Sequence, residues 1–307
     1  MFMFMSLLVH AQKPQIDFDT AMRFNEFRSV LQHDFAYALY TRAKQLYERY
    51  APDVITRRSE GTIPYVIHHI WFGIPLRQED KDVRATWEKH HPEPWQFVLW
   101  TDRVENDPRG VVARTWQEVD DSIAAGHRYI TVDVEALSFD NRIFFDETVY
   151  YGERSDILKW EIIHRMGGMY CDFDFTCLAS FDAMHDQYDF YTGMQPLDTS
   201  LVQLGAALFA ARRGHPILQH AVATIAADRV FMPIVIKTGP IHFSKSFLAV
   251  AGRNGSRDIA FPASFFYPCG YCEQDLDETC WRRPESLAVH RWAGSWLKPE
   301  AIAAKKS

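Results

Sequence analysis

Two aspartates one residue apart, Asp172 and Asp174, carry the plainest chemistry in this chain. A pair of carboxylates offers hard oxygen donors, the kind that hold a divalent cation at about 2.0 to 2.6 Å. Upstream, Asp156 and Lys159 set an acid and a base one helical turn apart. Such a pair can grip hydroxyls or a phosphate, or can be an ordinary surface ion pair. Near the end of the chain, residues 290–296 read HRWAGSW, joining His290 to a glycine and two tryptophans. A neutral imidazole can complete the shell of Mn²⁺ beside carboxylates, though a histidine at a strand end is commonly just hydrogen-bonded.

The elements that must position these groups lie in residues 155–178, SDILKWEIIHRMGGMYCDFDFTCL. Ser155 is a good N-cap, and Ile157, Trp160, Ile163 and Met166 share one helical face. Gly167-Gly168 ends the helix, since glycine can adopt the left-handed conformation a helix terminus needs. Residues 169–175 then alternate as a strand, with Tyr170, Asp172 and Asp174 on one face. Same-face neighbours on a strand are roughly 6.5 to 7 Å apart. That spacing divides the two carboxylates between a metal and a second contact.

Around this stretch the sequence predicts a nucleotide-binding α/β arrangement. Residues 64–71 form a buried strand, 81–91 a helix stopped by Pro92 and Pro94, and 95–101 a second strand ending at Asp102. Strand, helix, strand implies a parallel pair, whose ligands collect outside the carboxyl ends of the strands. Residues 104–125 read as helix, 129–134 as strand, and 135–153 as an irregular, lid-like segment. Later strands are expected at 188–194, 204–210, 259–267 and 288–292, with helices at 216–227 and from 240 to 250. Residues 18–50 have a helical period and form an N-terminal extension over 1–60. The main domain spans 61–298, with a tail at 299–307.

Composition narrows the partners. The formal charge of -7 and the lack of a polybasic block argue against an extended nucleic-acid surface. The first twelve residues are apolar but lack a basic flank and fall short of the roughly 20 residues that span a bilayer. They read as a weak leader at most, with no stable membrane anchor. The five cysteines are odd in number. Cys269, Cys272 and Cys280 resemble part of a zinc site without an evident fourth ligand.

The ordered motifs carry a resemblance. IPYVIHHIWFG at 63–73, TWEKHHPEPWQFVLWTD at 86–102, SDILK at 155–159, GGMYCDFD at 167–174, then Gly214-His215-Pro216, Thr238-Gly239-Pro240, Phe266-Tyr267-Pro268 and residues 290–296 follow one another as in the DXD glycosyltransferases of family 32. The chain resembles that family over about residues 62–297. The resemblance implies a GT-A fold (Rossmann-like, mixed sheet), a UDP- or GDP-sugar donor, a glycan, lipid or protein acceptor, Mn²⁺ or Mg²⁺, and retention of configuration. It implies Asp174 on the metal, Asp172 on the ribose or a metal-bound water, His290 on metal and phosphates, and Asp156 on donor-sugar hydroxyls. Trp71 would lie near the base, with Lys159, Tyr170, Ser295 and Trp296 completing the donor site. The leaving phosphate could deprotonate the acceptor, and a double displacement stays open. Lys159 departs from the family's arginine and loses its planar fork. A cytoplasmic location is expected, with export as the alternative.

Two other readings compete. Residues 172–176, DFDFT, fit the first motif of haloacid-dehalogenase-type phosphatases, with Asp172 as nucleophile and Asp174 as acid/base. The downstream acidic pair of that mechanism is not convincing here. A catalytically inactive, sugar-nucleotide-binding adaptor would keep the fold without the reaction.

Overall fold

The computed structural model describes residues 16–51, 63–228 and 233–294. Among these, ten strands form two sheets. They are β1 (Val66–Trp71), β2 (Gln96–Thr101), β3 (Val111–Ala113), β4 (Tyr129–Asp133), β5 (Gly168–Cys171), β6 (Phe175–Cys177), β7 (Phe190–Met194), β8 (Leu204–Ala211), β9 (Asp258–Phe261) and β10 (Ala288–His290). The large sheet runs β3-β4-β2-β1-β5-β8-β7-β9. Its first five strands are mutually parallel, and β8 pairs antiparallel with both β5 and β7. The α/β class and the mixed central sheet are as expected.

The parallel half explains its own sequence. β1 and β2 are mostly apolar because helices cover both faces of a parallel sheet; five of six residues in β1 and all six in β2 are buried. The helix Gln78–His90 is the crossover between them. Two polar residues survive inside β1 because each has a partner. His68 accepts from the Trp100 indole N–H at 3.1 Å, so its other nitrogen carries the proton and donates to Gly167 O at 3.0 Å. His69 donates to Cys171 O at 2.7 Å. Burial pushes both imidazoles down to about 3, so they are neutral.

Several elements differ from the sequence expectation. The helix carrying Asp156 starts a turn early, at Tyr151, so Ser155 lies inside it instead of capping it. The segment expected to be irregular holds a 3-10 turn, Val134–Ala136, and a helix, Arg142–Glu147. Residues 104–125 are not one helix: a 3-10 turn precedes the edge strand β3, and the helix Trp116–Ala124 follows, capped by Thr115. Residues 259–267 split into β9 and the helical turn Ala263–Phe266 after Pro262. Residues 18–50 form a short helix, Phe18–Ala21, two 3-10 turns, and a long helix, Asp34–Tyr50. That long helix packs its Leu39, Tyr40, Leu46 and Tyr47 face into the main core, with the Tyr47 ring 6.1 Å from that of Phe261 on β9.

The Gly167-Gly168 stop is present, in a more extreme form. Gly167 has φ 66° and ψ −166°, outside the left-handed helical region and open to glycine only. Gly168 has φ 92°, and a Cβ there would lie 2.7 Å from Val66 O. The pair lets the chain leave its helix and enter the sheet directly beside β1.

Candidate metal and donor site

The strand expected over 169–175 breaks where the chemistry begins. β5 ends at Cys171, the backbone turns through residues 172–174, and β6 resumes in a separate two-stranded sheet with β10. The Asp172 N–H still bonds Ala207 O of β8 at 2.8 Å, and the Phe175 N–H closes the turn onto Asp172 O at 3.3 Å. This turn overrides the alternation. It brings the two carboxylates closer than same-face strand spacing allows: one ligand atom from each of Asp172, Asp174 and His290 lies within 4.8 Å of the others. The division of the pair inferred from strand spacing is therefore not imposed by the backbone.

Three neighbours hold the turn in place. The Trp87 indole donates to Phe175 O at 2.6 Å, and Thr86 Oγ1 accepts from the Cys177 N–H at 2.9 Å, so the crossover helix anchors β6. β10 pairs antiparallel with β6, setting His290 opposite Phe175. Beyond it the Arg291 N–H donates to Asp174 O at 2.8 Å, and the Ala293 N–H to Asp174 Oδ2 at 3.1 Å. His290 Nε2 lies 3.1 Å from Asp174 Oδ1.

The two carboxylates have opposite electrostatic surroundings. Burial raises Asp172 to about 6, with Asp174 adding to the rise and the Lys159 ammonium opposing it. Tyr170 donates its hydroxyl to Asp172 Oδ1 and sits 3.2 Å from Ser155 Oγ. At Asp174 burial also works upward. There, the neighbouring His290, electrostatically and by hydrogen bond, and the Ala293 amide outweigh it and hold the carboxyl below its usual range.

Asp156 and Lys159 are not a surface pair. Their side chains are only 12% and 4% exposed, and they meet at 2.6 Å. The Lys159 ammonium lies 5.3 Å from the centre of the Tyr170 ring and 5.0 Å from that of Trp160. Asp156 Oδ2 also accepts from Thr238 Oγ1 at 3.3 Å. A Cβ on Gly239 would come 3.1 Å from that carboxylate oxygen, so the Thr238-Gly239 turn is built to approach it. Sequence reasoning gave this turn no role, although its glycine was the available signal. Two more charged groups went unnoticed beside it: buried Glu153 bonds Lys237 at 2.8 Å and Thr148 at 2.7 Å.

Trp71 stands at the carboxyl end of β1, its indole N–H on Ile74 O at 2.7 Å and its ring edge-on to Phe173 at 5.2 Å. Phe173 separates the two aspartates in sequence, so Trp71 borders the same end of the sheet. Ser295 and Trp296 lie outside the described residues, as does the apolar N-terminal stretch. All five cysteines are free, Cys269 buried and Cys272 and Cys280 exposed. Among the described residues the cluster with three converging ligands is the Asp-Asp-His set, with no cysteine centre beside it.

Residues 77–191 match the family model described as glycosyltransferase sugar-binding region containing DXD motif. Over these residues the chain resembles the sugar-binding region of DXD glycosyltransferases. The matched stretch includes Asp156, Lys159, Tyr170, Asp172 and Asp174, and leaves Trp71 and His290 outside its bounds. Inositol phosphoceramide mannosyltransferase 3 of Schizosaccharomyces pombe is 21% identical over 195 residues, covering 62% of this chain and 46% of that protein. Inositol phosphoceramide mannosyltransferase 1 of the same yeast is 22% identical over 198 residues, covering 60% and 51%. The chain thus spans about half the length of the curated relatives it matches. Among solved structures, the PaToxG glycosyltransferase is similar with a TM-score of 0.45 and 13% identity, over 78% of this chain and 80% of that one. The likeness to DXD glycosyltransferases rests on sequence; the phosphatase reading of the same aspartates gains nothing from these relatives.

Proposed function

We propose that this chain transfers a hexose from a nucleotide-sugar donor, UDP- or GDP-linked, to a hydroxyl of a glycan, lipid or protein acceptor, with a divalent cation and with retention of configuration. One observation carries the reading: the turn after β5 and the end of β10 bring Asp172, Asp174 and His290 within coordinating range of one another. The donor set fits the group. Carboxylate oxygens and an imidazole suit Mn²⁺, and Mg²⁺ less closely because of the nitrogen. Asp174, held ionised, and His290 would be its principal ligands, with Asp172 as a third ligand or a contact to ribose. When bound, such a cation supplies positive charge against a departing diphosphate.

The chain's own residues account for the rest. Tyr170 fixes the orientation of Asp172, while Lys159 opposes its protonation and aligns Asp156 toward the same end of the sheet. Asp156 keeps lone pairs free for donor-sugar hydroxyls, and Trp71 offers an aromatic surface where a base would lie. Lys159, tied to Asp156, acts on the donor through that carboxylate. The mannosyltransferase names of the relatives favour a mannose donor among the hexoses. A cytoplasmic site of action, where nucleotide sugars are plentiful, is part of the proposal.

The test is a panel of UDP- and GDP-sugars, assayed for transfer and for slow hydrolysis without acceptor. We expect turnover of one donor, abolished by EDTA, restored by Mn²⁺, and reduced about 100-fold or more in Asp174→Asn. Failure to turn over any donor, or full activity in Asp174→Asn, would defeat the reading.

A further inference from the structure

Phe266-Tyr267-Pro268 is a motif to which the donor chemistry gives no task. The helical turn Ala263–Phe266 ends at Tyr267, which the following proline keeps out of the helical conformation, at φ −125° and ψ 48°. Both aromatic residues are buried, but among different neighbours. The Phe266 ring packs 5.5 Å from those of Phe181 and Phe261, in the main core. The Tyr267 ring instead stands edge-on to Phe175 at 5.1 Å and to His290 at 5.6 Å.

The large sheet is deformed to receive this ring. β7 pairs with β8 in regular register from Phe190 to Thr192 and again at Met194, but between them Gly193 faces residues 205–208 of β8. Thr192 Oγ1 bridges the two ends of the bulge, 3.1 Å from Gly205 O and 3.2 Å from Leu208 O. Bulges recur beside active sites, where they bend a strand and re-aim side chains. A Cβ on Gly205 would lie 1.8 Å from the Tyr267 hydroxyl oxygen, and one on Gly193 3.1 Å from its ring. Neither glycine has a positive φ, so the space for the phenol, not the backbone conformation, calls for them.

The bulge also holds Asp172, whose N–H bonds Ala207 O at 2.8 Å. On the other side of the ring, Phe175 follows Asp174 in the chain and stands opposite His290 in the β6–β10 pair, the two rings 4.8 Å apart. Asp172 is thus carried by the large sheet, and Asp174 and His290 by the small one. Tyr267 touches both. We propose that Tyr267 is a positioning residue for the cation cluster: wedged into the bulge of β8, its ring sets the spacing of the two sheets and so the convergence of Asp172, Asp174 and His290. The inference rests on the cation reading of the proposed function and gives Tyr267 no contact with cation or donor. A side chain that only filled space would affect stability, whereas a positioning wedge also affects cation affinity in molecules that stay folded.

The experiment titrates Mn²⁺ into the full chain, followed by electron paramagnetic resonance with UDP or GDP present, alongside urea unfolding without the cation. Wild type is compared with Tyr267→Leu, Tyr267→Phe and Phe266→Leu. We expect Tyr267→Leu to raise the Mn²⁺ dissociation constant about 10-fold or more, as loss of a supporting residue around a metal does. Tyr267→Phe keeps the ring and should stay within about 3-fold of wild type. Phe266→Leu, a core loss on the side away from the cluster, should lower the urea midpoint and leave Mn²⁺ affinity unchanged. If Tyr267→Leu does not fold, Tyr267→Met fills the slot without a ring and carries the same expectation. Wild-type affinity in folded Tyr267→Leu or Tyr267→Met would overturn the proposal while leaving the cation reading intact. So would weakening in Tyr267→Phe or Phe266→Leu as large as in Tyr267→Leu. A wild type that binds no Mn²⁺ would defeat the cation reading itself, and the role of Tyr267 with it.

Discussion

His68 and His290 both lie on strands of this fold and both touch aromatic rings, yet they do different work. His68 spends its nitrogens on an indole N–H and a backbone carbonyl, and burial keeps it neutral. His290 turns one nitrogen to Asp174, beside a second carboxylate. His91 belongs with the first kind: it takes the Phe181 N–H at 3.1 Å and contacts Trp87 O at 3.0 Å. The partner decides the role. A histidine held by an indole or backbone groups is a structural strut, and one facing paired carboxylates is, on the proposed reading, a ligand.

The widest separation between the two kinds should appear in acid. Burial lowers His68, His69 and His185 from 6.5 to about 3, and His91 to about 4. Above pH 6.5 neither folded nor unfolded chain protonates them, and their contribution is intact. Below it the unfolded chain takes up protons that the folded chain refuses. Each then removes about 1.4 kcal/mol of stability per pH unit until its folded value is reached. Asp172, raised from 3.8 to about 6, works in the opposite sense between those values. Burial raises Asp102 and Glu161 as well and lowers His90 and His164, so six histidines outweigh three carboxyls, and denaturant midpoints should fall steadily from pH 6.5 to pH 4. A flat profile would mean that these histidines are hydrated.

Substitution should separate the two histidines by readout. His68→Ala leaves the Trp100 N–H and Gly167 O without their partner, at a cost of about 1–3 kcal/mol in unfolding free energy for each group left unpaired. His290→Ala lies at the mouth of the sheet and should cost less stability while sharply reducing cation-dependent turnover. Equal losses of stability in the two variants would erase the distinction.

What the sequence disclosed follows the same line. β1, β2 and β4 were legible because strands covered on both faces need mostly apolar runs, and the Gly167-Gly168 stop because only glycine tolerates its backbone. The motif residues of the site were legible as well, through their order along the chain. The turn at 172–174 was not, because the alternation of residues 169–175 continues through it; the break is imposed by β10 and by Trp87, both remote in sequence. The early start of the helix at Tyr151 left no signal, since Tyr150 makes no side-chain cap. The burial of Asp156 and Lys159 depends on Thr238 and Tyr170 closing around them, which spacing alone cannot report.

The central claim is that Asp174 and His290 hold one cation beside Asp172. Electron paramagnetic resonance titration of Mn²⁺ into the full chain, with UDP or GDP present, tests it most directly. The account predicts one saturable site in wild type, weakened about 10- to 100-fold in Asp174→Asn and His290→Ala and unaltered in His68→Ala. No bound Mn²⁺ in wild type, or equal binding in all four proteins, would contradict it.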